Sequence, residues 1–145
     1  PSMSARSSIT ARQMETWAHA QAIADELGIE RSEDDRIRNI VVLGVNTFGW
    51  SFMVRGMEVP EGPPALHLTS PSGESWEYGN PESDQVIRGM AHEFAQVVTQ
   101  TRNIADTRLV CEGDIAELWM RNAQCFAGAA TEPPAPGVRR TKSSA

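Results

Sequence analysis

The apolar residues of this chain first change their spacing at Pro60-Glu61-Gly62-Pro63-Pro64, and that switch limits the fold more than any other feature. Before it, apolar side chains recur at helical intervals; after it, they alternate until helical spacing returns at Met90. A run of prolines around a glycine continues neither element, because proline lacks a backbone donor and fixes φ. The chain is therefore read as helices followed by a small mixed portion, an α+β protein.

Upstream of the switch, Ser7 to Leu27 is predicted as one helix. Ser7, Ser8 and Thr10 offer N-cap hydroxyls, Thr10-Ala11-Arg12-Gln13 has capping-box form, and Gly28 is a natural stop. Met14, Trp17, Ala24 and Leu27 give it an apolar stripe. A second helix is predicted from about Asp34 to Arg55, with Glu33-Asp34-Asp35 suited to its N-terminus. Ile37, Ile40, Val41, Leu43, Val45, Phe48, Phe52 and Met53 make it apolar over most of its circumference, so it is covered on several sides or expects a partner. Gly44 and Gly49 weaken it locally.

Downstream, Ala65 to Thr69 alternates, with Leu66 and Leu68 on one face and His67 on the other. Ser70-Pro71-Ser72-Gly73 is a tight turn, and Ser75 to Tyr78 returns, so the two segments form a hairpin. Gln85 to Arg88 is a third strand ended by Gly89. Met90 to about Arg102 resumes helical period, Leu109 to Cys111 is a short strand, and Asp114 caps a last helix running to Phe126. The expected organisation is residues 1–57 as bundle helix plus connecting helix, 58–128 as a small α+β domain, and 129–145 as a disordered tail.

Composition narrows the function classes. The net charge is −6, with no basic stripe to neutralise a run of phosphates, which argues against nucleic acid. No stretch approaches the roughly 20 apolar residues that span a bilayer, and no signal-peptide pattern opens the chain. Cys111 and Cys125 are the only cysteines, too few for a secreted disulfide framework, so a cytoplasmic location is expected.

The pair with a built-in geometry for chemistry is Glu15 and His19. Four residues apart on one helix, a carboxylate and an imidazole share a face and can hold one divalent metal. The same spacing also serves as an ordinary pair on a solvated face. A metal site needs at least three protein donors, and this helix supplies two. His92-Glu93 resembles the start of a zinc-protease motif, but position 96 is Gln where the second histidine belongs. His67 is read as surface, and the cysteines lie too far apart for a Cys-x-x-Cys site. Arg102 follows Thr99-Gln100-Thr101 at a helix end. There it either complements the helix dipole or aims a guanidinium at a carboxylate-bearing substrate or thiol cofactor.

Ser2-Met3-Ser4 leading into Met14-Glu15-Thr16-Trp17-Ala18-His19-Ala20-Gln21 resembles the last bundle helix of the mycothiol-dependent maleylpyruvate isomerase family, actinobacterial metal-binding proteins related to the DinB helical bundle. Leu68 to Trp76, Phe94 to Gln100, Ala105-Asp106-Thr107 and Ala123 to Gly128 resemble the C-terminal part of one branch of it. The resemblance implies a four-helix bundle followed by a small α+β domain, with a zinc site of two histidines and one carboxylate. Glu15 and His19 match half of that site. Nothing here corresponds to the other histidine, so the chain looks like the C-terminal portion of a longer protein. Missing N-terminal bundle helices or a second copy would complete it. Arg102 matches an arginine that family members carry after the corresponding helix, although Thr101 stands where Gly is usual. The implied cofactors are zinc and mycothiol, and the implied partners are a small thiol and a small organic acid. The implied reaction is thiol addition to a cis double bond, rotation and expulsion of the thiol. An alternative of a different class is a non-catalytic α+β module that binds small apolar ligands, in the manner of sterol-carrier domains.

Overall fold

The computed structural model describes residues 37–137. Four α-helices and a four-stranded mixed sheet make up this part, so the fold is α+β. Glu15 and His19, and with them the helix expected over 7–27, lie outside the described residues.

The apolar run after Ile37 folds as two helices instead of one: α1, Arg38–Asn46, and α2, Phe48–Met53. They meet at Thr47, whose hydroxyl donates to the carbonyls of Leu43 and Gly44, at 2.8 and 3.1 Å. Back-bonding of this kind from a threonine inside a helix bends the helix. Neither glycine is the break. Gly44 lies within α1, where an added Cβ would sit 2.9 Å from both Phe94 and Val98. Its missing side chain lets α1 approach the helix that carries those two residues.

The hairpin forms as the alternation requires. β1, Ala65–Thr69, pairs antiparallel with β2, Ser75–Tyr78, in the register Leu66 to Tyr78 and Leu68 to Trp76. The turn closes through Ser70 and Glu74, backbone N to O at 2.8 Å. β3, Val86–Met90, then crosses to the other side of β1 and runs parallel to it, with Leu66 beside Ile87. β4, Val110–Glu112, pairs antiparallel with β3 and completes the order β2-β1-β3-β4. The connection from β2 to β3 turns at Gly79, where φ is +78° and a Cβ would lie 2.3 Å from the Pro64 carbonyl oxygen. Only glycine fits there.

Alternation gives the sheet two unlike faces. Leu66, Leu68, Trp76 and Ile87 point into the core. On the other face His67 Nδ1 lies 3.0 Å from Glu77, and Arg88 donates to Glu112 at 3.0 Å. These exposed pairs add little stability.

Against the apolar face pack α1, α2, α3 (Ala91–Val98) and α4 (Asp114–Asn122). Trp119 is fully buried at the centre. It meets Phe48 edge-on at 4.9 Å and Phe94 at 5.7 Å between ring centroids. Ile37, Ile40, Val41, Phe48 and Phe52 share this core with Leu66, Leu68 and Ile87. The proline-rich run 60–64 is thus a connection inside one packed unit.

The start of α4 differs from expectation in a useful way. Asp114 is its first helical residue, and no side chain of its own segment caps it. Gln85, just ahead of β3, reaches across instead, and its Oε1 accepts from the backbone N–H groups of Ile115 and Ala116 at 2.8 and 3.1 Å. A residue 30 positions away satisfies two of the four donors that any helix start leaves open.

Candidate functional site

The described residue with the strongest claim to chemistry is Arg102, and the end of α3 places it. Helical period alone carries this helix to about Arg102. The helix stops earlier, with Thr99 as C-cap and Gln100 in left-handed conformation at φ +59°. The backbone N–H of Gln100 donates to Val97 O at 3.0 Å and that of Thr101 to Gln96 O at 2.9 Å. This is the paired closure of a Schellman motif, usually built on glycine. A non-glycine residue in this region costs about 1–3 kcal/mol. The Gln100 side chain explains why it is held there. Its Nε2 donates to the carbonyls of Ala123 and Thr131, both at 3.0 Å, and its Oε1 accepts from the Thr131 hydroxyl.

The turn leaves a polar group in the interior. Gln96, Thr99, Thr101 and Arg102 are 4%, 6%, 5% and 7% exposed. The Gln96 carbonyl oxygen collects the backbone N–H groups of Thr101 and Arg102 and the Thr101 hydroxyl. The Thr99 hydroxyl donates to Ala95 O at 2.7 Å. The Gln96 side-chain oxygen has no hydrogen-bond partner among the described residues. Arg102 is the one charged side chain among the described residues that counts as buried. Keeping a guanidinium out of water is unfavourable unless its charge is compensated, so its burial marks a place where charge is handled. A planar fork of donors there suits a carboxylate.

Around this group runs a network that sequence reasoning missed. Gln124, fully buried, takes the Thr131 N–H on its Oε1 at 3.0 Å and donates from Nε2 to Phe126 O and Ala129 O. Its backbone N–H donates to Ser51 Oγ at 3.0 Å. Trp50 Nε1 donates to Phe126 O, and Arg55 donates to Asn122 O and Thr131 O and pairs with Glu132 at 3.0 Å. Residues 129–137, which composition assigns to the tail, are bonded to Arg55 just beyond α2, to Gln124, and to Gln100, Asn103 and Asp106 after α3. Two glutamines at a helix end and in a loop give no pattern from which this could be read.

The remaining candidates separate cleanly. His92 and Glu93 are partly exposed at the start of α3, and Glu93 accepts the Arg108 N–H at 3.0 Å. Among the described residues no three His, Cys, Asp or Glu side chains gather closely enough to hold a metal ion. The donors expected to do so, Glu15 and His19, lie outside the described residues. A carboxylate and an imidazole are donor types that zinc takes, and a zinc site needs at least three such protein donors.

Neither cysteine is poised as a nucleophile. Burial pushes the Cys125 thiol up to about 12, with its own backbone N–H opposing slightly. Burial, reinforced by Glu117, pushes Cys111 up to about 11. The thiolate is the reactive form, so both are inert at neutral pH. Both pKa values are raised on folding. Their contribution to stability is therefore fully present below the ordinary thiol value of 9.0 and is lost as pH rises through 11 to 12. Iodoacetamide labelling at pH 7.5 should be much slower at both sites than in the unfolded chain, with Cys125 the slower of the two. Labelling of either at the unfolded-chain rate would contradict this.

Among the described residues no helix is long and apolar enough to cross a membrane. The chain is 40% identical over 137 residues, 94% of its length, to uncharacterized proteins of Mycobacterium tuberculosis strains CDC 1551 / Oshkosh and ATCC 25618 / H37Rv. It spans about half, 52%, of the length of these curated relatives. No protein-family model matches the chain, and no solved structure does.

Proposed function

We propose that residues 37–137 are the C-terminal α+β portion of a mycothiol-dependent, DinB-like zinc protein, whose intact form is a maleylpyruvate isomerase-like, thiol-dependent isomerase or transferase. The observation that carries this reading is Arg102, an arginine buried just beyond an unusual helix end in which Gln100 takes the left-handed conformation. Its role is to bind and orient the carboxylate of a small organic acid through a two-pronged contact. Two further facts support the reading. The chain's own thiols are not thiolates at neutral pH, so thiol chemistry would draw on a separate small thiol such as mycothiol. The relatives are about twice as long as the matched stretch, which leaves room for the remaining bundle helices and the third zinc donor.

Glu15 and His19 are the residues that would hold zinc, and the metal would act as a Lewis acid that favours the thiolate of a bound thiol. The protein part described here would exclude water around the acid and fix its orientation relative to that thiol.

The test uses a chain extended N-terminally to the relatives' length, with mycothiol and maleylpyruvate. Turnover should require the thiol. Arg102→Ala should lower kcat/KM on the order of 100-fold, as expected for loss of a charge-assisted contact of about 2–3 kcal/mol. Arg102→Lys keeps the charge but loses the fork, so it should recover only part of the activity with the melting temperature preserved. Wild-type kcat/KM in a folded Arg102→Lys variant would remove Arg102 from the mechanism, and thiol-independent turnover would remove mycothiol.

A further inference from the structure

Thr99-Gln100-Thr101-Arg102, just past the end of α3, holds no glycine and no proline, and the helical period of the sequence runs on into it. The helix is ended by residues from further along the chain. Gln100 Nε2 donates to Ala123 O and Thr131 O, both at 3.0 Å, and Gln100 Oε1 accepts from the Thr131 hydroxyl. These bonds hold Gln100 at φ +59°, in the region that helix ends usually leave to glycine. A longer helix offers the same donors equivalent acceptors. Now the Gln100 N–H donates to Val97 O and the Thr101 N–H to Gln96 O. In α-helical order the two acceptors simply trade places. Only the Arg102 N–H, at 3.3 Å from Gln96 O, would give up a bond. The Cys125 N–H, at 3.0 Å from Val98 O, occupies the acceptor that further growth needs.

The short form therefore depends on the docking of residues 129–137. Besides Gln100, their anchors are Gln124, which takes the Thr131 N–H at 3.0 Å, and Arg55, which donates to Thr131 O and pairs with Glu132. Asn103 Nδ2 donates to Pro134 O at 3.0 Å, and the Gly137 N–H donates to Asp106 Oδ2 at 2.8 Å. Pro133 and Pro134 are half-buried, the other seven residues are exposed, and none belongs to the apolar core. A segment held by surface hydrogen bonds and little apolar contact opens at far lower free energy than the body of a fold. On its release Gln100 keeps the unfavourable backbone conformation and loses both bonds to Thr131. We infer that α3 has two lengths and that residues 129–137 are a strap that selects between them. Docked, the strap ends the helix at Val98; detached, it lets the helix run on past Gln100. Whatever competes for the strap shifts the end of α3.

The experiment is NMR on the full 145-residue chain. Backbone scalar couplings give the sign of φ at Gln100 and so report the helix end, while amide exchange at Gly137 reports the strap. Wild type should show a positive φ and a protected Gly137. Arg55→Met combined with Thr131→Val removes side-chain anchors of the strap and changes no residue of α3. It should speed Gly137 exchange about tenfold and bring Gln100 to a negative, helical φ. The Thr101 amide should stay protected, because Val97 O replaces Gln96 O as its acceptor. Urea below global unfolding repeats the test on the wild type, where Gly137 exchange and the loss of positive φ should rise together. A Gln100 that keeps its positive φ while Gly137 exchanges freely would overturn the inference. Free exchange at Thr101 would do so too, since the helix end would then fray instead of lengthening. So would a Gly137 that stays protected after both substitutions.

Discussion

Replacing Trp119 by alanine should abolish cooperative folding of residues 37–137 near physiological temperature. The indole is fully buried, and Phe48 and Phe94 press their edges on it from α2 and α3. With Ala116 and Met120 it joins α4 to the core, and it is the largest of the three, so its removal leaves a void that the surrounding elements would have to collapse to fill. Truncation of a buried tryptophan typically costs about 3–5 kcal/mol. A domain of this size has only about 5–15 kcal/mol in total. Thermal denaturation followed by circular dichroism should show the midpoint falling by on the order of 15–30 °C, or no folded baseline at all. Trp119→Phe should retain much more stability. The indole Nε1 has no acceptor among the described residues, so phenylalanine forfeits volume and no hydrogen bond. A midpoint within a few degrees of wild type for Trp119→Ala would mean that the core is not organised around this ring.

The parts of this fold that could be read in the sequence are those set by local periodicity. The hairpin is legible because Leu66, Leu68, Trp76 and Tyr78 alternate on either side of a four-residue turn, and slipping the register by one would expose all of them. The mixed α+β character follows from the change of period at Pro60 to Pro64. What local pattern does not encode is where helices end. α1 breaks from α2 because the Thr47 hydroxyl competes for carbonyls, and threonine inside an apolar run gives little warning of it. α3 ends at Val98 because Gln100 takes a backbone conformation normally left to glycine, and the bonds that hold it come from residues 123 and 131. The same applies to Gln85, which caps a helix far along the chain.

The candidate site divides along the same line. Arg102 stands out in sequence as a cation after a helix, and that much needed no structure. Its burial did, because burial depends on the Schellman turn and on segments that approach from elsewhere in the chain. The polar residues of the network, Ser51, Gln96, Gln124 and Thr131, carry no spacing that marks them. Glu15 and His19 are legible as a pair by their four-residue separation, and they lie outside residues 37–137.

Zinc content is the most direct measure of whether that pair holds a metal. Two ligands at the four-residue spacing expected of one helix would leave the third donor to another element, so occupancy should be negligible in the 145-residue chain and close to one ion per protein once the chain is extended to the relatives' length. Losing one of three protein donors removes most of the affinity of such a site, and both Glu15→Ala and His19→Ala should bring the extended protein close to zero. Elemental analysis of dialysed samples, with folding checked by circular dichroism, reads this without any assumption about substrate. The expected result is near-stoichiometric zinc in the extended wild type alone. Equal, negligible zinc in all samples, or stoichiometric zinc that survives both substitutions, would contradict the metalloprotein reading, and the former would favour a non-catalytic binding module.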